Sequence, residues 1–172
     1  MLARLDRAYG WLIDALGMLG GCLFGAMALG IGADVLARSL TGRGIFWMIE
    51  VLEYGLLVAT LCAAPWGLRE GAHVTVELVQ NAVGPRLRRT MRIASALLGA
   101  AIAAITFHYG WAATAVAAGR GSMIFKSLVF PEWWLLAAVP VGMALLTIEF
   151  LRLAALLLAG REPRPPSGEA AH

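Results

Sequence analysis

The sequence predicts an all-α integral membrane protein with four transmembrane helices and both termini in the cytoplasm. Three observations predict it. First, the 172 residues are 60% hydrophobic and 15% charged, with a mean hydropathy of +0.75. A soluble domain is about 45–50% apolar and about 25% charged, and one of this length could not hide so much apolar surface. Second, four apolar stretches, 11–33, 46–68, 93–116 and 133–158, each reach the roughly 20 residues needed to cross the hydrocarbon core. Third, the basic residues are divided unevenly. Ten lie at the N-terminus, between the second and third stretches, or at the C-terminal end, and the four others are Arg38, Arg43, Arg120 and Lys126. Positive charge is retained on the cytoplasmic side, so the ten mark the inside.

The first stretch follows Arg4 and Arg7, which resemble the start of a secretory signal. It is longer than a signal's apolar region of roughly 7–15 residues and has no small-residue cleavage pattern, so it is expected to remain as a helix that Asp34 and Arg38 close. Thr41-Gly42-Arg43-Gly44 separates it from the second stretch, Gly84-Pro85 precedes the third, and Gly119-Arg120-Gly121-Ser122 with Pro131 precedes the fourth. Trp11, Trp47, Trp66, Tyr109, Trp111, Trp133 and Trp134 lie near the ends of the stretches, where amphipathic rings favour the headgroup zone of the membrane lipids. Residues 70–83 place Ala72, Val76, Val79 and Val83 on one helical face and His73, Glu77 and Gln80 on another. That pattern predicts a short amphipathic interfacial helix, with Gly84 as its cap and Pro85 as its stop. A strand is the lesser reading of the same residues, because it would have no partner. Residues 1–160 thus form one four-helix membrane domain, and the Pro- and charge-rich tail 161–172 is expected to be disordered.

Small residues recur at every fourth position: Gly17, Gly21 and Gly25 in the first span, Gly55, Ala59, Ala63 and Gly67 in the second, Ala96, Ala100 and Ala104 in the third. Such stripes let helix backbones approach closely in lipid. Charge within a span is the usual pointer to function, and here it is confined to the boundaries. Asp14 lies one turn inside the first span, Glu50 and Glu53 open the second, and Glu149 and Arg152 lie one turn apart near the end of the fourth. These residues read either as boundary anchors or as contacts with another protein. Glu50 and Glu53 share a face, which also makes a paired proton site conceivable.

No catalytic triad, phosphate loop, metal-ligand spacing or CxxC occurs, so neither enzyme activity, cofactor nor metal is expected. Cys22 and Cys62 lie in apolar runs and read as small hydrophobic filler. The net charge of +3 does not suggest nucleic acid, because the basic residues flank apolar runs as topology signals. Pro140, followed by Gly142, is expected to kink the fourth helix.

The polar residues together form a pattern. Trp47, Glu50 and Tyr54 open the second span; His73-Val74-Thr75-Val76-Glu77 follows it; then come Pro85, Arg86 and Arg89; Pro131 and Trp133 precede the last span, which contains Pro140 and Gly142. In this order and spacing the chain resembles the DctQ-type small membrane subunit of tripartite ATP-independent periplasmic (TRAP) transporters, from about residue 11 to 152. Departures are Ile49, where the family often has a second acid, the absence of glycine at Leu61-Cys62-Ala63, and the additional Pro65.

The resemblance implies a bacterial inner-membrane scaffold subunit in sodium-driven uptake of an organic acid. Its partners would be a large DctM-type elevator permease, which moves the solute, and a periplasmic DctP-type substrate-binding protein, which captures it. The residues the resemblance singles out as interface or structural positions are Trp47, Glu50, Tyr54, His73, Glu77, Pro131, Trp133, Pro140 and Gly142. The small subunit of a tripartite tricarboxylate transporter is a related alternative with poorer matches to these motifs. A self-contained four-helix proton-coupled exporter is another, but it needs a carboxylate deeper in the first span than Asp14.

Overall fold

The computed structural model describes residues 2–70, 84–126 and 128–160, with 2–8 and 85 described by backbone alone. The expected interfacial helix at 70–83, with His73 and Glu77, and the tail 161–172 lie outside the described residues, apart from the helix C-cap at Glu70. Among the described residues four helices run in chain order: α1 Leu2–Thr41, α2 Met48–Arg69, α3 Pro85–Arg120 and α4 Glu132–Leu158. All four are long and apolar enough to cross a membrane. A two-stranded antiparallel hairpin, β1 Met123–Phe125 and β2 Val129–Pro131, joins α3 to α4.

Two helices outrun their expected bounds, and local chemistry explains both. Asp34 and Arg38 do not close α1. At a spacing of four they form a 2.9 Å ion pair along its surface, and such a pair supports a helix. The helix continues to Thr41 and stops where Gly42 takes a left-handed φ of +70°. At the start of α3, Gly84 is the N-cap and Pro85 opens the helix. Proline suits the first helical turn because its missing N–H would have no partner there. The other end is a glycine stop: Gly121 takes φ +62°, Ser122 N–H bonds the Ala117 carbonyl, and Gly121 N–H bonds that of Ala118. This double bond pattern satisfies carbonyls that the helix end would otherwise orphan.

The helices form an open row rather than a closed bundle. α1 packs on α2, α2 on α4, and α4 on α3, so α1 and α3 occupy the edges. α4 accordingly buries the largest share of its span, 28% against 11% for α1. Adjacent hairpin partners are antiparallel, while α2 and α4 both start at the β-hairpin and run together. A small apolar core of Leu68, Ala103 and Leu146, with Met143 and Phe150 against it, ties α2, α3 and α4.

Small residues make the close approaches, though not on every expected stripe. A side chain at Gly17 would strike Trp66, and one at Gly20 would lie 3.0 Å from the Ala59 carbonyl and 3.1 Å from Ala63. Gly21 and Gly25 meet nothing within 4 Å, so α1 turns a different face to α2 than the stripe implied. On α3 the buried alanines are Ala96, Ala100, Ala103 and Ala117, while Ala104 is exposed. The α2 stripe does pack, with Ala59 fully buried and Gly55 against the Met27 sulfur.

Candidate functional site

The residues singled out by sequence converge partly, at the β-hairpin. Strand register pairs Met123 with Pro131, Ile124 with Phe130 and Phe125 with Val129, and Glu132 N–H closes the base on the Ser122 carbonyl at 3.0 Å. The first turns of α2 hold this hairpin. The Glu50 carboxylate accepts the Leu128 N–H at 3.0 Å, and the Glu53 carboxylate accepts the Lys126 ammonium at 3.1 Å. Tyr54 meets Phe130 edge-on, with centroids 5.3 Å apart, and Lys126 Nζ lies 5.5 Å from the Tyr54 ring centre. The spacing of Glu50, Glu53 and Tyr54 puts all three on one helical face. The hydrogen bond to Glu53 pushes the Lys126 amine above its ordinary value of 10.5. The pair is exposed, so its Coulomb attraction is screened.

The other singled-out residues have separate places. Trp47 caps α2 by backbone position, with no side-chain capping bond, and is 40% exposed. Trp133, in the first turn of α4, stacks edge-on with Trp134 at 6.1 Å. Pro140 and Gly142 are buried in the middle of the row. A Cβ at Gly142 would lie 2.8 Å from that of Leu61 on α2, and one at Gly110 on α3 would lie 3.4 Å from Pro140 Cδ. These two residues therefore set how closely α4 approaches its neighbours on either side.

The partners of several polar anchors escaped sequence reasoning. Asp34 is buried, and its carboxylate accepts both the Arg38 guanidinium and the Ile45 N–H, closing the α1–α2 turn. At the opposite end, Arg69 donates to the Gly10 carbonyl at 2.9 Å and lies 3.8 Å from Asp14. Arg89 donates to the carbonyls of Leu157 and Leu158 at 3.0 and 3.1 Å, capping α4. Buried Glu149 pairs with Arg152 at 3.8 Å, as their spacing suggested, and the Arg152 guanidinium lies 6.0 Å from the Tyr9 ring. The advance signal for Arg69 was its place at a helix end, which topology already accounted for, while Arg89 was marked by the basic motif after Pro85 but without its partner on α4.

Chemically, these groups are fasteners. Carboxylates and guanidinium groups bind backbone N–H and C=O groups that helix ends and turns leave open. Among the described residues no group of three or more His, Cys, Asp or Glu is arranged to hold a metal ion.

The comparisons with known proteins agree with this architecture. The family model described as tripartite ATP-independent periplasmic transporters, DctQ component, matches residues 27–160. The chain is 26% identical over 171 residues to the C4-dicarboxylate TRAP transporter small permease protein DctQ of Vibrio cholerae serotype O1, covering 86% of this chain and 72% of that protein. It is 24% identical over 160 residues to the protein of the same description from Pseudomonas aeruginosa, covering 92% and 74%. The match covers the hairpin, its clamp and all of α2, α3 and α4, and the chain belongs to the DctQ component family of TRAP transporters.

Proposed function

We propose that this chain is the small scaffold subunit of a TRAP transporter in the bacterial inner membrane, with both termini cytoplasmic. It supports a large DctM-type elevator permease in sodium-coupled uptake of an organic acid delivered by a periplasmic DctP-type binding protein. The names of its relatives make a C4-dicarboxylate the first solute to test.

The observation that carries this reading, beside family membership, is the distribution of charge. No Asp, Glu, Lys or Arg occurs at 15–33, 54–68, 93–119 or 133–148. Asp34, Arg69, Arg89 and Glu50, at the span ends, bind the chain's own backbone. A translocation pathway for an anion would need polar groups along its length, because an uncompensated charge in the hydrocarbon region is costly. An elevator, by contrast, slides one domain against a fixed one across about 30 Å of hydrocarbon, and an apolar row of helices adds fixed mass beside it. Trp47, Glu50, Tyr54, Pro131, Trp133, Pro140 and Gly142 then serve the subunit's own shape, while His73 and Glu77 remain candidates for contact with the partner.

The test is reconstitution. Vesicles holding this chain alone should take up no radiolabelled C4-dicarboxylate above empty vesicles. Uptake should appear when the large subunit and binding protein are added under an inward sodium gradient. Uptake by the chain alone would overturn the scaffold role, and full activity without a sodium gradient would overturn the coupling.

A further inference from the structure

The β-hairpin has two faces. In an antiparallel pair, residues opposite one another share a face, so Ile124 and Phe130 lie on one side and Met123, Phe125, Val129 and Pro131 on the other. The first side faces α2, through the Phe130–Tyr54 contact. The second side is apolar and open: Phe125 is 80% exposed, Val129 59% and Met123 41%. An exposed apolar face of this kind marks an interaction surface.

We infer that this outer face lies in the headgroup–acyl boundary of the bilayer, making the hairpin a membrane anchor rather than an aqueous loop. Continuity is the first argument. The face adjoins exposed Trp133 and Trp134 at the start of α4, and Phe46 and Ile49 at the start of α2 are also exposed. Exposed apolar residues of the α2 and α4 starts and of the hairpin therefore gather at the same end of the row.

Depth is the second argument, because two opposed effects fix it. The apolar face draws the hairpin inward. Its outer strand edges carry backbone groups that hydrocarbon cannot satisfy, and Lys126, Glu50 and Glu53 at its turn need water or headgroups. The depth that satisfies both is the boundary itself, where a lysine can extend its ammonium towards water. At about 3.4 Å per residue the three-residue strands are about 10 Å long, a length comparable with that of the interfacial zone. Glu50 and Glu53 then have a clear use, holding the sheet flat against α2 so that its other face meets lipid.

The experiment places nitroxide labels on the full chain in nanodiscs of phosphatidylethanolamine and phosphatidylglycerol, with Cys22 and Cys62 replaced by alanine. Labels go at Phe125→Cys and Val129→Cys, with exposed Arg43→Cys as the aqueous reference and exposed Ile102→Cys as the hydrocarbon reference. Collision rates with oxygen and with a water-soluble nickel chelate report depth. The ratio of oxygen to nickel collisions at both hairpin sites should be at least threefold above that at Arg43 and below that at Ile102. A ratio equal to that at Arg43 would overturn the inference. So would protection from both reagents appearing only when the large subunit is co-reconstituted, which would make the face a protein interface.

Discussion

Replacing Glu50 tests whether the hairpin clamp is a fastener within the subunit. Its carboxylate accepts the Leu128 N–H at 3.0 Å, and Leu128 is 37% exposed, so water can reach the site. A hydrogen bond to a charged group contributes about 1.5–3 kcal/mol, and water access favours the lower end. Glu50→Ala should therefore cost about 1.5 kcal/mol, which for a chain of this size lowers Tm by roughly 3–6 °C. Glu50→Gln keeps an acceptor but loses the charge, and charge-assisted bonds are roughly twice as strong as neutral ones. Its loss should be about half that of alanine. Thermal unfolding of the purified chain in detergent measures both, and limited proteolysis at Lys126 should speed up in the same order. If both variants melt like the parent and the hairpin is cleaved no faster, the clamp contributes nothing to the subunit. A drop in co-purified large subunit without any change in melting would move the bond's importance to the partner.

Two further outcomes follow from particular contacts, and a third from the uneven division of basic residues. Gly142→Ala places a methyl 2.8 Å from Leu61, so it should destabilise the chain by about 1–3 kcal/mol through overpacking, whereas Gly25→Ala, with open space around it, should leave Tm unchanged in the isolated chain. The Lys126 amine is raised above 10.5 by Glu53; a raised group stabilises fully below its unfolded value and loses that contribution as pH rises through the folded one. Hairpin proteolysis should thus be constant from neutral pH up to the ordinary lysine value and accelerate above it, and Lys126→Met should abolish that acceleration. Alkaline phosphatase fusions at Gly42 and Gly121 should be active, those at Gly84 and the C-terminus inactive, and an active C-terminal fusion would overturn the cytoplasmic assignment of the termini.

What the sequence revealed and what it hid follow from the length scale of each signal. Spans announce themselves because some twenty apolar residues leave few alternatives, and α2 and α4 begin and end within two residues of the expected bounds. Helix ends were less legible. Asp34 and Arg38 look like the limit of an apolar run, yet their spacing of four lets them pair along a continuing helix. The hairpin gives no signal in the sequence, because two three-residue strands are too short for alternation to stand out beside the apolar run that begins at Trp133. Glycine spacing showed which residues share a face but not which face meets a neighbour, so Gly17 packs while Gly21 and Gly25 do not. Of the singled-out residues, Glu50 and Tyr54 were marked by pattern, but their partners Leu128 and Phe130 come from a fold element that the pattern did not contain.

The positions of the polar fasteners explain how an open row can hold its shape. In lipid, apolar helices gain little from leaving hydrocarbon for one another, so packing and hydrogen bonds must decide their arrangement. The α1–α2 pair is fastened at one end by Asp34 to Ile45 and at the other by Arg69 to Gly10. The α3–α4 pair is fastened by the hairpin base and by Arg89 on the last carbonyls of α4. These two antiparallel pairs meet along α2 and α4, where Gly142 admits Leu61 and Leu68 lies in one core with Leu146. Across that seam, Glu50 and Glu53 reach the hairpin at one end, and Arg152 reaches the Tyr9 ring at the other. The middle of the seam is packed by Leu61, Gly142, Leu68 and Leu146, so a polar fastener at its end sets the angle between the pairs. Loosening the Glu50 clamp should therefore let the two pairs splay at the hairpin end while each stays internally intact, and a scaffold that splays there no longer presents one fixed surface to a sliding partner.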